Sequence, residues 1–310
     1  MKRYLTYLML LMAVLACQKN EDIYTPVLTT VQIELGTAEA VSKSNSPLEP
    51  DVENLIHDVW VIQFSERGVL YTGVDKFYRT EGQDGAKLVT LEAQVMSGKS
   101  TICLLANLNK ANSPEKFFDT AALKASLPDN LPQFKNTLLD MTEFLHFVNT
   151  NTVPGAIPMF GYWEGTIETD SPNMESECLN VTMGRMMSRI NLTLVNKSGS
   201  QLTNLKFKNA ASKAYYFPQI TDVVLPEEAY CSKDMALDYK LSLPNGHSGS
   251  IYFYWAPNLC NSADKATEIT ITTEDGSTYS CLLTNGHVSD ENPDYNLYHN
   301  CNYTVTVTLE

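Results

Sequence analysis

Hydrophobic and polar positions alternate from Val27 to Leu35, where Val27, Val31, Ile33 and Leu35 share one parity and Thr30, Gln32 and Glu34 hold the other. A period of two predicts a strand with one face buried. Residues 36–50, rich in Ser, Ala, Glu and Pro, break that period and read as an exposed connection. Leu55 to Phe64 is a second, more continuously apolar run. It passes through Ser65-Glu66-Arg67-Gly68 into Val69-Leu70-Tyr71 and predicts a strand–turn–strand unit. The unit recurs as Lys87 to Val95, a hairpin turn at Met96-Ser97-Gly98-Lys99, and Ser100 to Asn107.

Residues 113–147 change period. Ser113 before Pro114 suits a helix start, with Ser as N-cap and Pro in the first turn. Phe134, Leu138, Met141 and Leu145 fall at i, i+4, i+7 and i+11, one helical stripe. Strand patterns return at Ile157–Tyr162, Leu179–Met183, Arg189–Val195, Leu202–Phe207, Tyr239–Leu243, Ile251–Trp255, Glu268–Thr273, Thr278–Leu283 and Tyr303–Leu309. Short strands at such intervals, without helical crossovers, predict antiparallel sandwiches. The expected architecture is mainly β. An N-terminal antiparallel β-sandwich domain covers 17–185, with a helical insertion at about 113–147, and a C-terminal one covers 186–310.

The N-terminus sets the compartment. Lys2 and Arg3 precede an almost unbroken apolar run from Tyr4 to Ala16. The run is shorter than the roughly 20 residues a bilayer span needs. Its basic start and small closing residue fit a signal peptide over residues 1–16. Val14-Leu15-Ala16-Cys17 resembles the lipobox of bacterial lipoproteins, which implies cleavage between Ala16 and Cys17 and acylation of Cys17. At roughly 0.8 kcal/mol per buried methylene, several acyl chains hold a protein firmly on a membrane.

Charge excludes one class of partner. Loss of Lys2 and Arg3 with the signal leaves 20 basic against 36 acidic residues, a net charge of −16. Nucleic-acid binding depends on Lys and Arg neutralising phosphates, so none is expected. Export permits disulfides. The spacing of Cys103, Cys178, Cys231, Cys260, Cys281 and Cys301 leaves pairing among the last three open beside buried free thiols.

Catalytic patterns fail on context. Ala93 to Ser100 approximates a phosphate loop, but a β-type run follows where the chemistry needs a helix N-terminus. Gly246-His247-Ser248-Gly249-Ser250 lacks the G-x-S-x-G spacing of a nucleophile elbow. The acidic loop Asp290–Asp294 has no calcium-loop signature, and the five histidines show no paired metal spacing. His57 and His299 read as packed or edge residues of strand-like segments. In Ile251–Trp255 a strand would bury Ile251, Phe253 and Trp255 and turn Tyr252 and Tyr254 outward, where they could stack on a sugar. No enzyme activity, cofactor or metal is expected.

With the strands laid out, the mature chain resembles the fimbrillin family of Bacteroidota, the pilins of type V pili. The likeness rests on the lipobox, Ile56 to Gly68, Thr101 to Leu108, Ile157-Pro158-Met159, Met187 to Leu192 and Leu297 to Val307, in order over about 290 residues. It implies two transthyretin-like sandwiches and a lipidated precursor at the outer membrane, held by its N-terminal acyl chains. It also implies that a trypsin-like protease removes the first strand, here Val27 to Leu35. A strand of a neighbouring fimbrial subunit then enters the groove, a donor-strand complementation of the β-augmentation type.

Two departures bear on the role. Family pilins are cut after an arginine, and none lies between Arg3 and Arg67, leaving Lys43 before Ser44 as the basic substitute. Cutting after Arg67 would split the strongest strand pair. Stalk pilins continue past the final strand, whereas this sequence stops at Glu310. The second departure implies a tip or minor subunit, with adhesion to a host or bacterial surface ligand. The first points to an uncut anchor, and a monomeric glycan-binding lipoprotein using Tyr252 and Tyr254 is the competing expectation.

Overall fold

The computed structural model describes residues 25–38, 41–42, 51–79, 85–108, 117–151, 156–169, 178–218, 225–230, 239–260, 262–284 and 293–310. Ala16, Cys17, Lys43, Ser44, Cys231 and the Ser113-Pro114 helix start lie outside these residues.

The first sheet has seven strands in the order β4-β3-β6-β8-β9-β1-β5. They are β1 (Leu28–Thr37), β3 (Asp58–Ser65), β4 (Lys76–Arg79), β5 (Leu88–Met96), β6 (Gly98–Ala106), β8 (Met159–Ile167) and β9 (Cys178–Arg185). The sheet folds over on itself at β8 and β9, which pair only through Met159↔Arg185 and Phe160↔Gly184. Gly161 is required there: a Cβ would come within 2.6 Å of Met183 Sδ and 2.9 Å of the Thr182 carbonyl. Val31, Ile33 and Leu35 of β1 share one buried cluster with Val59 and Val61 of β3 and Ile102 and Leu104 of β6. This is sandwich layering.

The opposite faces of β3 and β6 are also buried. Trp60, Ile62, Phe64, Cys103 and Leu105 join residues of α1 (Thr120–Ala125), α2 (Leu131–Lys135) and α3 (Thr142–Asn151) in a second cluster. The predicted stripe Phe134, Leu138, Met141 and Leu145 is not one helix. Leu138 belongs to a short strand, β7 (Leu138–Asp140), which pairs with β12 (Lys213–Tyr215). The helix breaks because other backbone takes its hydrogen bonds: Tyr216 N donates to Thr137 O at 2.8 Å and Met141 N to Ser212 O at 3.0 Å. Tertiary pairing here overrides local periodicity.

At Met186-Met187 the chain leaves the first sheet and enters β10 (Ser188–Asn196). β10 belongs to a sheet ordered β14-β10-β17-β2, with β14 (Ser248–Trp255), β17 (Cys301–Leu309) and β2 (Val41–Ser42). A fourth sheet runs β13-β11-β15-β16, with β11 (Leu202–Lys208), β13 (Tyr239–Leu243), β15 (Glu268–Thr273) and β16 (Thr278–Leu282). Ile190, Leu192 and Phe253 of one sheet meet Leu205, Phe207, Ile269 and Ile271 of the other. That core is continuous with the helices and the outer faces of β3 and β6.

Two sequence expectations need correction. The sheets are not purely antiparallel: β1–β9, β10–β17 and β17–β2 are parallel pairs. In the first and third of these, strands from the start of the chain lie beside strands formed much later, so no hairpin fixes their direction. Nor is Ser97-Gly98 a hairpin turn. β5 pairs with β1, whereas β6 pairs with β3 and β8, so the chain changes layer there. Gly98, at φ 102°, takes the left-handed backbone conformation at this change of layer. The buried Gln63 amide clamps it, donating to Met96 O at 2.7 Å while accepting from Met96 N at 2.7 Å.

Candidate functional site

β1 lies inside a sheet, not at its edge. It pairs antiparallel with β5 from Leu28↔Met96 to Gly36↔Leu88, and parallel with β9 from Gln32↔Cys178 to Thr37↔Met183. Among the described residues β5 pairs with no strand other than β1. Three of the four side chains that the sequence assigns to this strand face inward: Val31 is 1% exposed, and Ile33 and Leu35 are fully buried. The fourth, Val27, precedes the strand and is 53% exposed. Its backbone is nevertheless engaged, with Val27 N donating to Ser97 Oγ and Ser97 N to Val27 O, each at 2.8 Å. The inward position that parity gives the strand's beginning is Thr29, 5% exposed, whose hydroxyl has no partner among the described residues.

The same segment reaches the second sheet system. β2 pairs with the start of β17 through Cys301↔Val41 and Asn302↔Ser42. The next described residues form a 3-10 turn, Asp51–Asn54, and no residue pattern in the turn itself signals what it carries. Glu53 is fully buried. Arg185, at the end of β9, donates from Nη1 to Glu53 Oε2 at 2.8 Å; Arg189, on β10, donates from Nη1 to Oε1 at 2.8 Å. The Tyr254 hydroxyl donates to Oε1 as well. Arg185 Nη2 also reaches Asn302 Oδ1 at 3.1 Å, and the Arg189 guanidinium lies 4.5 Å from the centre of the Tyr252 ring. Burial, and then the Glu53 carboxylate, raise the Tyr254 pKa above the ordinary phenol range, so the hydroxyl stays a donor. A buried charge needs such partners. The residue pattern that hints at it is two arginines four apart across the β9–β10 junction, inside otherwise apolar strands.

This cluster corrects one sequence expectation. Tyr254 is 1% exposed and turned into the cluster, and Tyr252 is half-buried under Arg189, so the two form no outward sugar-stacking pair. The face of β14 that the alternation reads as solvent packs instead against α3 and the 3-10 turn, where Asn149 holds the Tyr254 backbone.

The remaining candidates are dispersed. No helix follows Gly98, where β6 begins directly. Cys103 and Cys260 are buried, Cys281 is half-buried and Cys178 is exposed, all as free thiols, and Cys301 is buried at the start of β17. Burial raises the Cys103 thiol pKa far above its usual value, so it carries no thiolate chemistry. His299 lies in the turn before β17, and burial lowers its pKa against a hydrogen bond to the Arg185 backbone. Among the described residues no group of three His, Cys, Asp or Glu could hold a metal ion, and no helix is long and apolar enough to cross a membrane.

Neither a family model nor a curated protein matches the chain. Solved structures do. The tip fimbrial protein Mfa3 of Porphyromonas gingivalis, with a C-terminal truncation, is similar at a TM-score of 0.58 and 14% identity, over 91% of this chain and 95% of that one. A candidate cell adhesion protein from Parabacteroides distasonis gives 0.60 at 14% identity, over 91% and 88%. A fimbrilin from Porphyromonas gingivalis gives 0.53 at 12% identity, over 90% and 89%. At these identities the likeness speaks for architecture. The chain has the fimbrillin-like fold of these Bacteroidota fimbrial proteins.

Proposed function

We propose that this protein is a structural subunit of a cell-surface fimbria, assembled by strand exchange and acting without catalysis. The observation that carries the proposal is β1, a strand from the start of the chain, paired on both sides inside a sheet and supplying core side chains. Its three inward aliphatics contribute roughly 5–9 kcal/mol at about 1.5–3 kcal/mol each. That compares with the whole stability of a typical domain, about 5–15 kcal/mol. A body that lost β1 would therefore need another strand in the slot, which makes a neighbouring subunit the natural occupant.

The lipobox and the family resemblance supply the rest of the proposal. Cys17 is the acylated residue that holds the precursor at the outer membrane, and a cut between Lys43 and Ser44 frees the segment bearing β1 and β2. Two sandwich domains, 17–185 with a helical insertion and 186–310, make up the lipidated chain before the cut, and the body that remains begins at Ser44. Similarity to the tip protein Mfa3 favours a tip or minor position, with adhesion to a surface ligand as its task.

N-terminal sequencing of protein sheared from cells, beside the membrane-bound form, tests this. A new start at Ser44 in the sheared fraction is the expected result. A sheared fraction without this protein, with all of it acylated at Cys17, would overturn polymerisation.

A further inference from the structure

The buried charge cluster lies where the removable segment meets the part that stays. We infer that Glu53 is a positioning residue for strand exchange: it clamps the chain just after the cut, so that release of β1 and β2 stops at residue 51 and the body keeps its shape. The inference rests on the strand-exchange proposal above.

The two sides of the 43–50 connection are anchored unequally. Upstream, β2 holds to β17 through two register pairs, Cys301↔Val41 and Asn302↔Ser42. Downstream, Glu53 accepts from Arg185, Arg189 and Tyr254 with no solvent exposure. Pulling Glu53 out would leave two buried arginines without their counter-charge, a larger penalty than the loss of a two-residue strand end. Further anchors follow directly: Asn107 Nδ2 donates to Leu55 O at 2.9 Å, Asn107 Oδ1 accepts from His57 N at 2.9 Å, and Ile56 bridges to Ala86. The partners of Glu53 come from β9, β10 and β14, none of which leaves with the strand. Arg185 also ties Asn302, the β17 residue beside Ser42, into the same cluster. Departure of β2 therefore uncovers β17 without freeing Glu53.

The test uses the full chain with a sequence-specific protease site in place of residues 44–50, cut or uncut, and reads amide hydrogen exchange by segment. In the cut wild type, amides of residues 53–58 are expected to keep their uncut rates within about threefold, because their anchors are untouched. In Glu53→Gln the same amides should speed up at least about tenfold more after cutting than before, since only the uncut chain is still tied through β2. If Glu53→Gln does not fold, Tyr254→Phe, which removes one donor and leaves both arginines, is read in the same way. Loosening of 53–58 in the cut wild type overturns the clamp. So does equal loosening in cut and uncut variants, the mark of a merely structural role. Exchange at β1 is read in the same samples. If residues 28–37 stay protected when an excess of a synthetic peptide of residues 27–42 is added, strand exchange fails while the clamp stands or falls on its own segment.

Discussion

Ile33 sits midway along β1, fully buried, opposite Leu91 of β5 and Leu179 of β9. Replacing it by Ala removes side-chain carbons from a site enclosed by two layers. Large-to-small changes in such cores cost about 2–5 kcal/mol, the upper part of the range applying where the walls cannot collapse. Here the walls are strands held in register on both sides, so little collapse is expected. Thr30, exposed on the same strand, is the control, and Thr30→Ala should stay within about 0.5 kcal/mol. Denaturant unfolding of the whole chain reads both. The same difference should reappear when the strand is supplied as a peptide of residues 27–42, where 2–5 kcal/mol is a loss of affinity of roughly 30-fold to several thousandfold. An Ile33→Ala cost below about 1 kcal/mol, or equal costs at Ile33 and Thr30, would refute the claim that β1 is a core strand.

Three further outcomes are expected. Thr29→Val replaces a buried hydroxyl that has no partner among the described residues by an isosteric methyl, and should raise stability by about 1 kcal/mol in denaturant unfolding. Gly161→Ala should cost roughly 1–3 kcal/mol, because the added Cβ meets the Thr182 carbonyl as well as two side chains; melting temperature and unfolding midpoint report it. His299 has a folded pKa below its unfolded value near 6.5, so above that pH both states are neutral and its contribution is complete. As pH falls the unfolded chain binds the proton first and stability drops, so His299→Gln should show a shallower loss between pH 7.5 and 5 than the wild type in matched unfolding curves.

How much of this was legible depends on where each segment finds its partners. β13 and β15 appear with the bounds their alternation predicts, because one face of each turns inward, buried in β15 and half-buried in β13, and the pattern is local. The short strands β2, β7 and β12 carry no period of their own; they exist because distant backbone pairs with them. The helical stripe was a true statement about burial at Phe134, Met141 and Leu145 and a false one about conformation, for the same reason. Parity along β1 named Val31, Ile33 and Leu35, yet it also gave an inward place to Val27, which precedes the strand and is exposed. Of the Glu53 cluster, only the pair Arg185 and Arg189 leaves a mark in the sequence. Its members lie up to 201 positions apart, and a buried Glu looks like any surface Glu until its partners are placed.

The most direct test of strand exchange mixes the chain, cut within 44–50, with an isotope-labelled peptide of residues 25–43 and follows the complex by native mass spectrometry. Strand exchange predicts that the labelled peptide replaces its unlabelled counterpart one for one while the body stays folded, and that a peptide with Ser at positions 31, 33 and 35 does not enter. A folded body that never takes up the labelled strand, or takes up both peptides alike, would contradict it.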